Sequence, residues 1–385
     1  MAVNLYHQMQ QELISLEKTG SLRKIPDVAH EGKYIVANGN RMLNLSSNDY
    51  LGLAGDKPLK KEFLTRYDIE KALFSASSSR LLTGNNQFYE EVETTLSQLF
   101  RSQAALVFNS GYHANTGILP AIANDKTLIL VDKLIHASLI DGIRLSSAKF
   151  NRYKHNDLAQ LENLIAKNHT QYEKIIVVTE SIFSMDGDVT DLTRLVELKK
   201  MYPSVMLYVD EAHAIGVRGN KGLGIAEEQN CIQDIDFLVG TFGKALNSVG
   251  AYVICNTITR EYLINKMRTL IFTTALPAIN LMWTHFILQK LDIFNTKRAK
   301  LCNISKLLKE ALANQGYLSN SASHIIPMVV GETHQTMLKS QELREKGFYV
   351  LPIRPPTVPH GTSRLRFSLT AGITDLDIRE LINSL

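Results

Sequence analysis

The chain has 385 residues, 45% of them hydrophobic and 21% charged, with a formal net charge of +4. This is globular composition with ample length for a large core, and it excludes general disorder. The charge is too slight and too scattered to argue for nucleic acid. Cys231, Cys255 and Cys302 are widely spaced and form no Cys-x-x-Cys pair, so neither a disulfide framework nor a metal site is expected.

At the start of the chain Leu5, Met9, Leu13 and Leu16 recur at helical spacing. The stretch lacks the basic and apolar regions of a signal peptide. No apolar run reaches the roughly 18 residues of a membrane span. The expectation is a cytoplasmic protein that engages no membrane. A short basic connector follows, Ser21-Leu22-Arg23-Lys24-Ile25-Pro26. Residues 33–37 and 41–45, split by Asn38-Gly39-Asn40, read as a β-hairpin. Ser46-Ser47-Asn48-Asp49-Tyr50-Leu51-Gly52-Leu53 then breaks the pattern with turn and cap residues.

From about residue 85 to 275 strand-like and helix-like segments alternate. The strand candidates are 104–108, 127–131, 149–153, 175–178, 205–209, 237–241 and 251–255. Several are continuous apolar runs, which suits strands buried on both faces of a mostly parallel sheet. Residues 158–167 and 192–201 read as helices between them. The alternation predicts an α/β domain, with ligands collecting at the carboxyl ends of its strands. Beyond Pro277 come two long helices at 281–291 and 299–314, then short strands at 325–330, 348–351 and 363–369. The expected organisation is an N-terminal helix and hairpin segment (1–45), a large α/β domain (46–277) and a smaller α+β domain (278–385).

Five stretches that follow strands carry candidate chemistry. Asn109-Ser110-Gly111-Tyr112-His113-Ala114-Asn115 combines a Gly turn with a helix start, which is either an anion site or a plain capped turn. His136, after 127–131, is either a satisfied structural histidine or a site residue. Glu180 to Asp188 is rich in donors and acceptors without EF-hand spacing. Asp210-Glu211-Ala212-His213 could be half of a metal site, but no third ligand stands at a recognisable spacing. Its aspartate could instead hold a pyridinium nitrogen protonated, with His213 donating to a phenolic oxygen. The fifth stretch is Thr241-Phe242-Gly243-Lys244. A lysine desolvated just past a buried strand can serve as an amine nucleophile and form a Schiff base with pyridoxal 5'-phosphate (PLP).

Together these motifs resemble those of the α-oxoamine synthases, PLP enzymes of fold type I (aspartate aminotransferase-like) that condense an amino acid with an acyl-CoA. The resemblance runs from about residue 20 to the C-terminus. It implies that Lys244 carries the cofactor and moves the Cα proton, that Asp210 pairs with the ring nitrogen, and that His213 and Ser184 lie at the phenolic oxygen. His136 would stack on the ring, while Gly111, Tyr112 and Thr241 would hold the phosphate. Arg366 would clamp the amino-acid carboxylate, a task suited to a guanidinium fork. Asn48 and Thr357 would line the substrate site, and Arg23 would meet the far carboxylate of the acyl chain. The segment Ile353-Arg354-Pro355-Pro356-Thr357-Val358-Pro359-His360-Gly361-Thr362-Ser363-Arg364-Leu365-Arg366 resembles the branch that joins L-alanine to pimeloyl-CoA or pimeloyl carrier protein in biotin synthesis. A homodimer is implied by the same resemblance.

The chain departs from the family where Ser75-Ala76-Ser77-Ser78-Ser79-Arg80 replaces a Gly-rich turn, after His213, and after Lys244. These departures leave the acyl pocket open to a sister activity, such as glycine C-acetyltransferase. A non-catalytic partner subunit of the same fold is the more distant alternative, and the presence of Lys244 argues against it. A dinucleotide-binding protein is disfavoured because no Gly-x-Gly-x-x-Gly follows residues 104–108.

Overall fold

The computed structural model describes residues 4–385. It divides into two compact units. The larger comprises Asp49–Ser184 and Asp188–Lys300; the smaller comprises the segment ending at Asn48, Met185–Gly187 and Leu301–Leu385. The N-terminal segment therefore groups with the C-terminal residues, and residues 278–300 group with the large unit. This differs from the three consecutive segments suggested by the sequence. The reason is strand pairing over long sequence separation: Phe348–Tyr349 runs parallel to Asn40–Asn44 and extends the predicted N-terminal hairpin.

The large unit is built on seven strands: β1 (Ala104–Phe108), β2 (Thr127–Asp132), β3 (Lys149–Tyr153), β4 (Lys174–Glu180), β5 (Val205–Asp210), β6 (Phe237–Thr241) and β7 (Ala251–Cys255). Their order across the sheet is β1-β7-β6-β5-β4-β2-β3. Five neighbouring strands are mutually parallel, while β7 is antiparallel to both β1 and β6. The carboxyl ends of β1, β2, β4, β5 and β6 thus lie along the same edge of the sheet. The continuous apolar runs are buried throughout in β1, β2, β6 and β7. Strand β3, with its charged and exposed residues, is one of the two edges, and the buried β1 is the other. Gly240 is required where it stands, because a Cβ there would come 2.4 Å from the ring of Tyr252, its cross-strand partner.

Two helices close one face of the sheet: α1 (Gly111–Ile122) and α2 (Ala137–Leu145). Ile118, Leu119, Leu139 and Ile143 from these helices join Leu106, Ile129, Val131, Ile176, Val178, Val239 and Val253 from the strands in one apolar core. Burial of such side chains stabilises by about 1.5–3 kcal/mol each.

In the small unit Ile325–Gly331, Ser363–Ser368 and Pro352–Ile353 form a three-stranded antiparallel sheet. The strand expected at 348–351 ends at Tyr349, and a separate strand of the second sheet begins at Pro352. The amide of Leu351 donates to the Ser46 hydroxyl at 2.9 Å instead of joining a ladder, and the chain crosses over at that point. Among the described residues no helix is long and apolar enough to cross a membrane, and no cluster of His, Cys, Asp or Glu is arranged to hold a metal.

Candidate active site

A cavity of about 180 Å³ opens at the carboxyl ends of the parallel strands, wholly within the large unit. Each strand end delivers one part of it. After β1, Ser110 caps α1 by accepting the His113 amide at 3.2 Å. This leaves the amides of Gly111 and Tyr112, at the first two positions of α1, without helical acceptors. A Cβ added to Gly111 would meet nothing nearer than Thr241 Cβ at 4.0 Å, so open space fronts these donors. The phenol of Tyr112 points elsewhere and donates to Asp141 at 2.8 Å.

Beyond β2, His136 caps α2, and its backbone amide donates to Glu180 at 2.5 Å. His136 Nδ1 accepts the Ser138 amide at 3.2 Å and lies 2.8 Å from the Ser138 hydroxyl. Burial lowers the imidazole pKa; the Lys244 charge adds to this and Asp210 opposes it. The ring is therefore neutral at physiological pH, with its proton on Nε2.

Strands β4 and β5 end side by side, with Glu180 paired in register with Asp210. Both carboxylates are buried. Burial first, and then the Asp210 charge, push the Glu180 pKa well up, an effect partly offset by Lys244 and by the His136 amide. Asp210 accepts the Ala212 amide at 2.9 Å on one oxygen and the Asn115 side-chain amide at 2.8 Å on the other. Two N–H donors thus hold the carboxylate, one on each oxygen.

Past β6 the backbone turns and places half-buried Lys244 in the cavity wall, its Nζ 2.9 Å from His213 Nε2. His213 Nδ1 in turn lies 2.6 Å from the hydroxyl of the fully buried Tyr50. Thr241 also lines the cavity. Its hydroxyl proton goes to the Gly250 carbonyl at 2.9 Å, and its oxygen accepts the Gly243 amide at 3.2 Å.

The structure therefore gathers Gly111, Tyr112, His136, Asp210, His213, Thr241 and Lys244 around one cavity. Ser184 is half-buried in the loop after β4, outside the cavity lining. Arg23 and Thr357 meet in the small unit, where the guanidinium donates to the threonine hydroxyl at 3.3 Å. Both line a second cavity of about 900 Å³ with Lys24, Arg344 and Arg354 on its walls and no carboxylate among its lining residues. Arg366 lies on the buried strand Ser363–Ser368, and Asn48 closes the N-terminal part of the small unit. Residue-by-residue reading assigned no role to Asn115, Ser138, Glu180, Tyr208 or Tyr50. Four of them lie within or beside the post-strand motifs and Tyr50 lies in the 46–53 stretch, but only contacts over long sequence separation reveal what they touch.

The arrangement has the chemistry of a PLP site: anion-binding amides at a helix start, a carboxylate held by N–H donors, a flat neutral imidazole and a partly desolvated lysine. The family described as Aminotransferase class I and II matches residues 40–385. The chain belongs to this family. It is 55% identical over 379 residues to 8-amino-7-oxononanoate synthase of Haemophilus ducreyi (strain 35000HP / ATCC 700724), covering 97% of this chain and 98% of that one. Among solved structures, serine palmitoyltransferase from S. paucimobilis, described with a bound PLP–myriocin aldimine, is 28% identical with a TM-score of 0.91, covering 99% of this chain and 97% of that one. An 8-amino-7-oxononanoate synthase from Francisella tularensis is 29% identical with a TM-score of 0.76, covering 89% and 96%. These relatives set the chain among the α-oxoamine synthases, PLP-dependent acyltransferases of fold type I.

Proposed function

We infer that this chain catalyses the decarboxylative condensation of L-alanine with pimeloyl-CoA, or with a pimeloyl carrier protein, to give 8-amino-7-oxononanoate, CO2 and the free thiol. The observation that carries the chemistry is the convergence of Lys244, Asp210 and His136 on one cavity beneath the start of α1. The likeness over nearly the whole chain to 8-amino-7-oxononanoate synthase of H. ducreyi supports the choice of substrates.

PLP bound in this cavity supplies an electron sink for the charge left at Cα when a proton or CO2 departs. The amides of Gly111 and Tyr112 hold its phosphate at the positive end of α1. For Thr241 to donate there as well, its hydroxyl must turn away from the Gly250 carbonyl. Asp210 would pair with the ring nitrogen, and His213 would offer Nε2 to the phenolic oxygen. His136 packs its neutral ring against the cofactor face. Lys244 would hold the cofactor through Nζ and, as a free amine, would take and return the proton at Cα. In this structure His213 Nε2 lies within hydrogen-bond reach of that amine, and its Nδ1 within reach of the Tyr50 hydroxyl. Arg366 would clamp the amino-acid carboxylate, and Asn48 would line the substrate site. Arg23 and Thr357 meet the distal carboxylate of the acyl chain, and the acid-free walls of their cavity suit an anion. We extend the reading to a cytoplasmic homodimer, and light scattering on the purified protein tests the dimer.

The deciding experiment is product identification by mass spectrometry. Alanine, glycine and serine are each incubated with pimeloyl-, acetyl- and succinyl-CoA. The expected product is 8-amino-7-oxononanoate from alanine and pimeloyl-CoA. Turnover confined to glycine with acetyl- or succinyl-CoA would replace this function with that of a sister enzyme.

A further inference from the structure

Asn115 occupies the fifth position of α1 and is 1% exposed. A buried primary amide needs its hydrogen-bond partners, and here they define a direction. The Tyr208 hydroxyl donates to Asn115 Oδ1 at 2.6 Å. Asn115 Nδ2 donates to Asp210 at 2.8 Å and to the Ser138 hydroxyl at 3.0 Å. Ser138 passes its own proton to His136 Nδ1 at 2.8 Å.

Each link excludes its reverse. The backbone amide of Ser138 can only donate, and it donates to His136 Nδ1, so that nitrogen carries no proton. The Ser138 hydroxyl at the same nitrogen must then be a donor, which leaves its oxygen to accept from Asn115. Asp210 is an acceptor, so the asparagine cannot turn its carbonyl toward it without placing two oxygens at 2.8 Å. Tyr208 is fully buried, and its hydroxyl supplies the proton that the asparagine carbonyl needs.

The scaffold holds this arrangement. α1 and α2 cross so closely that a Cβ on Gly142 would come 2.2 Å from the Asn115 carbonyl. The helix that carries Asn115 is thus registered against the helix that carries Ser138 and His136.

We propose that Asn115 is a positioning residue that sets two features of the cofactor site at once: the orientation of the Asp210 carboxylate and, through Ser138, the Nε2-protonated tautomer of His136. The proposal rests on the reading of this cavity as the PLP site. Hydrogen-bond partners behind ligating groups tune their orientation and basicity, and their loss typically costs about 10–100-fold in affinity at metal sites; a similar scale is expected here.

The test uses purified full-length protein, with Asn115→Asp, Asn115→Leu and Ser138→Ala beside the parent. Asn115→Asp sets a second carboxyl against Asp210, Asn115→Leu removes all three bonds, and Ser138→Ala interrupts only the branch to His136. PLP affinity for the cofactor-free protein is measured by absorbance titration, and the pH midpoint of the visible spectrum is followed in the loaded protein. For folded Asn115 variants the expected result is PLP affinity weakened by about tenfold or more. The spectral midpoint is expected to move by about one pH unit, the scale of a lost charge-assisted hydrogen bond. Ser138→Ala, a small change that tolerates folding, should leave affinity within about threefold and still displace the midpoint. A role limited to packing would lower the melting temperature and leave every midpoint in place. Unmoved midpoints in Ser138→Ala and in any folded Asn115 variant overturn the proposal. A parent protein that takes up no PLP overturns the cofactor reading itself, and the proposal with it.

Discussion

His155 gives the sharpest quantitative test of how the site is held. It lies in the loop after β3 and bridges two buried acids, with Nδ1 3.0 Å from Asp132 and Nε2 2.6 Å from Asp188. Asp132 ends β2 just before His136, and Asp188 follows the loop that contains Ser184, so one imidazolium ties both loops. The edge of the Phe183 ring packs against it at 4.4 Å. Burial opposes the charge, but hydrogen bonds and attraction from Asp132 and Asp188 outweigh it and push the pKa up to about 10. From an unfolded value of 6.5 this sets a ceiling of about 5 kcal/mol. The side chain is 25% exposed and its partners share the effect, so about 2–3 kcal/mol is the working figure.

The folded pKa is raised, so this stability is fully present below about pH 6.5 and is lost as pH rises toward 10. His155→Gln keeps a donor and removes the charge. With an unfolding entropy of about 2.1 cal/mol/K per residue, the variant should melt about 3 °C below the parent at pH 6.5. The gap should shrink by more than half at pH 9. Paired thermal melts at the two pH values are the assay. A gap of equal size at both would refute the argument that the charge, rather than the shape of the ring, holds the loops.

Three further outcomes are expected. Borohydride reduction of the PLP-loaded protein should add the mass of the reduced cofactor to the parent and not to Lys244→Ala, which should also lose turnover; the added mass in the variant would move the attachment to another lysine. Because burial and the Asp210 charge raise the Glu180 pKa, Glu180→Gln should keep activity within a few-fold near neutral pH, whereas Glu180→Ala, which strips the His136 amide of its acceptor, should lose about tenfold or more. A large loss in Glu180→Gln would show that the negative charge is needed. Gly142→Ala should destabilise by about 1–3 kcal/mol despite the better helix propensity of alanine, because its Cβ meets backbone that cannot give way; an unchanged melt would contradict the close crossing of α1 and α2.

The strands and the site motifs were legible in the sequence because both are local signals. Apolar runs such as those of β2 and β6 reveal strands buried on both faces, and a parallel sheet puts the residue after each run at one common edge. Gly111, His136, Asp210 and Lys244 could therefore be assigned to one edge before any fold was known. Tertiary structure alone decided what depends on pairing at long range. The grouping of the N-terminal hairpin with Phe348–Tyr349, the break in pairing between Tyr349 and Pro352 and the side-by-side carboxyls of Glu180 and Asp210 have no periodic signature. The same holds for the hydroxyl of Thr241, the last residue of β6, for which the resemblance implied a phosphate donor while its proton goes to Gly250. Asn115 is the clearest case. In sequence it is one more polar residue early in a helix. It becomes a hub only because the fold brings Tyr208 and Asp210 of β5 and Ser138 of α2 within 3.0 Å of a single side chain.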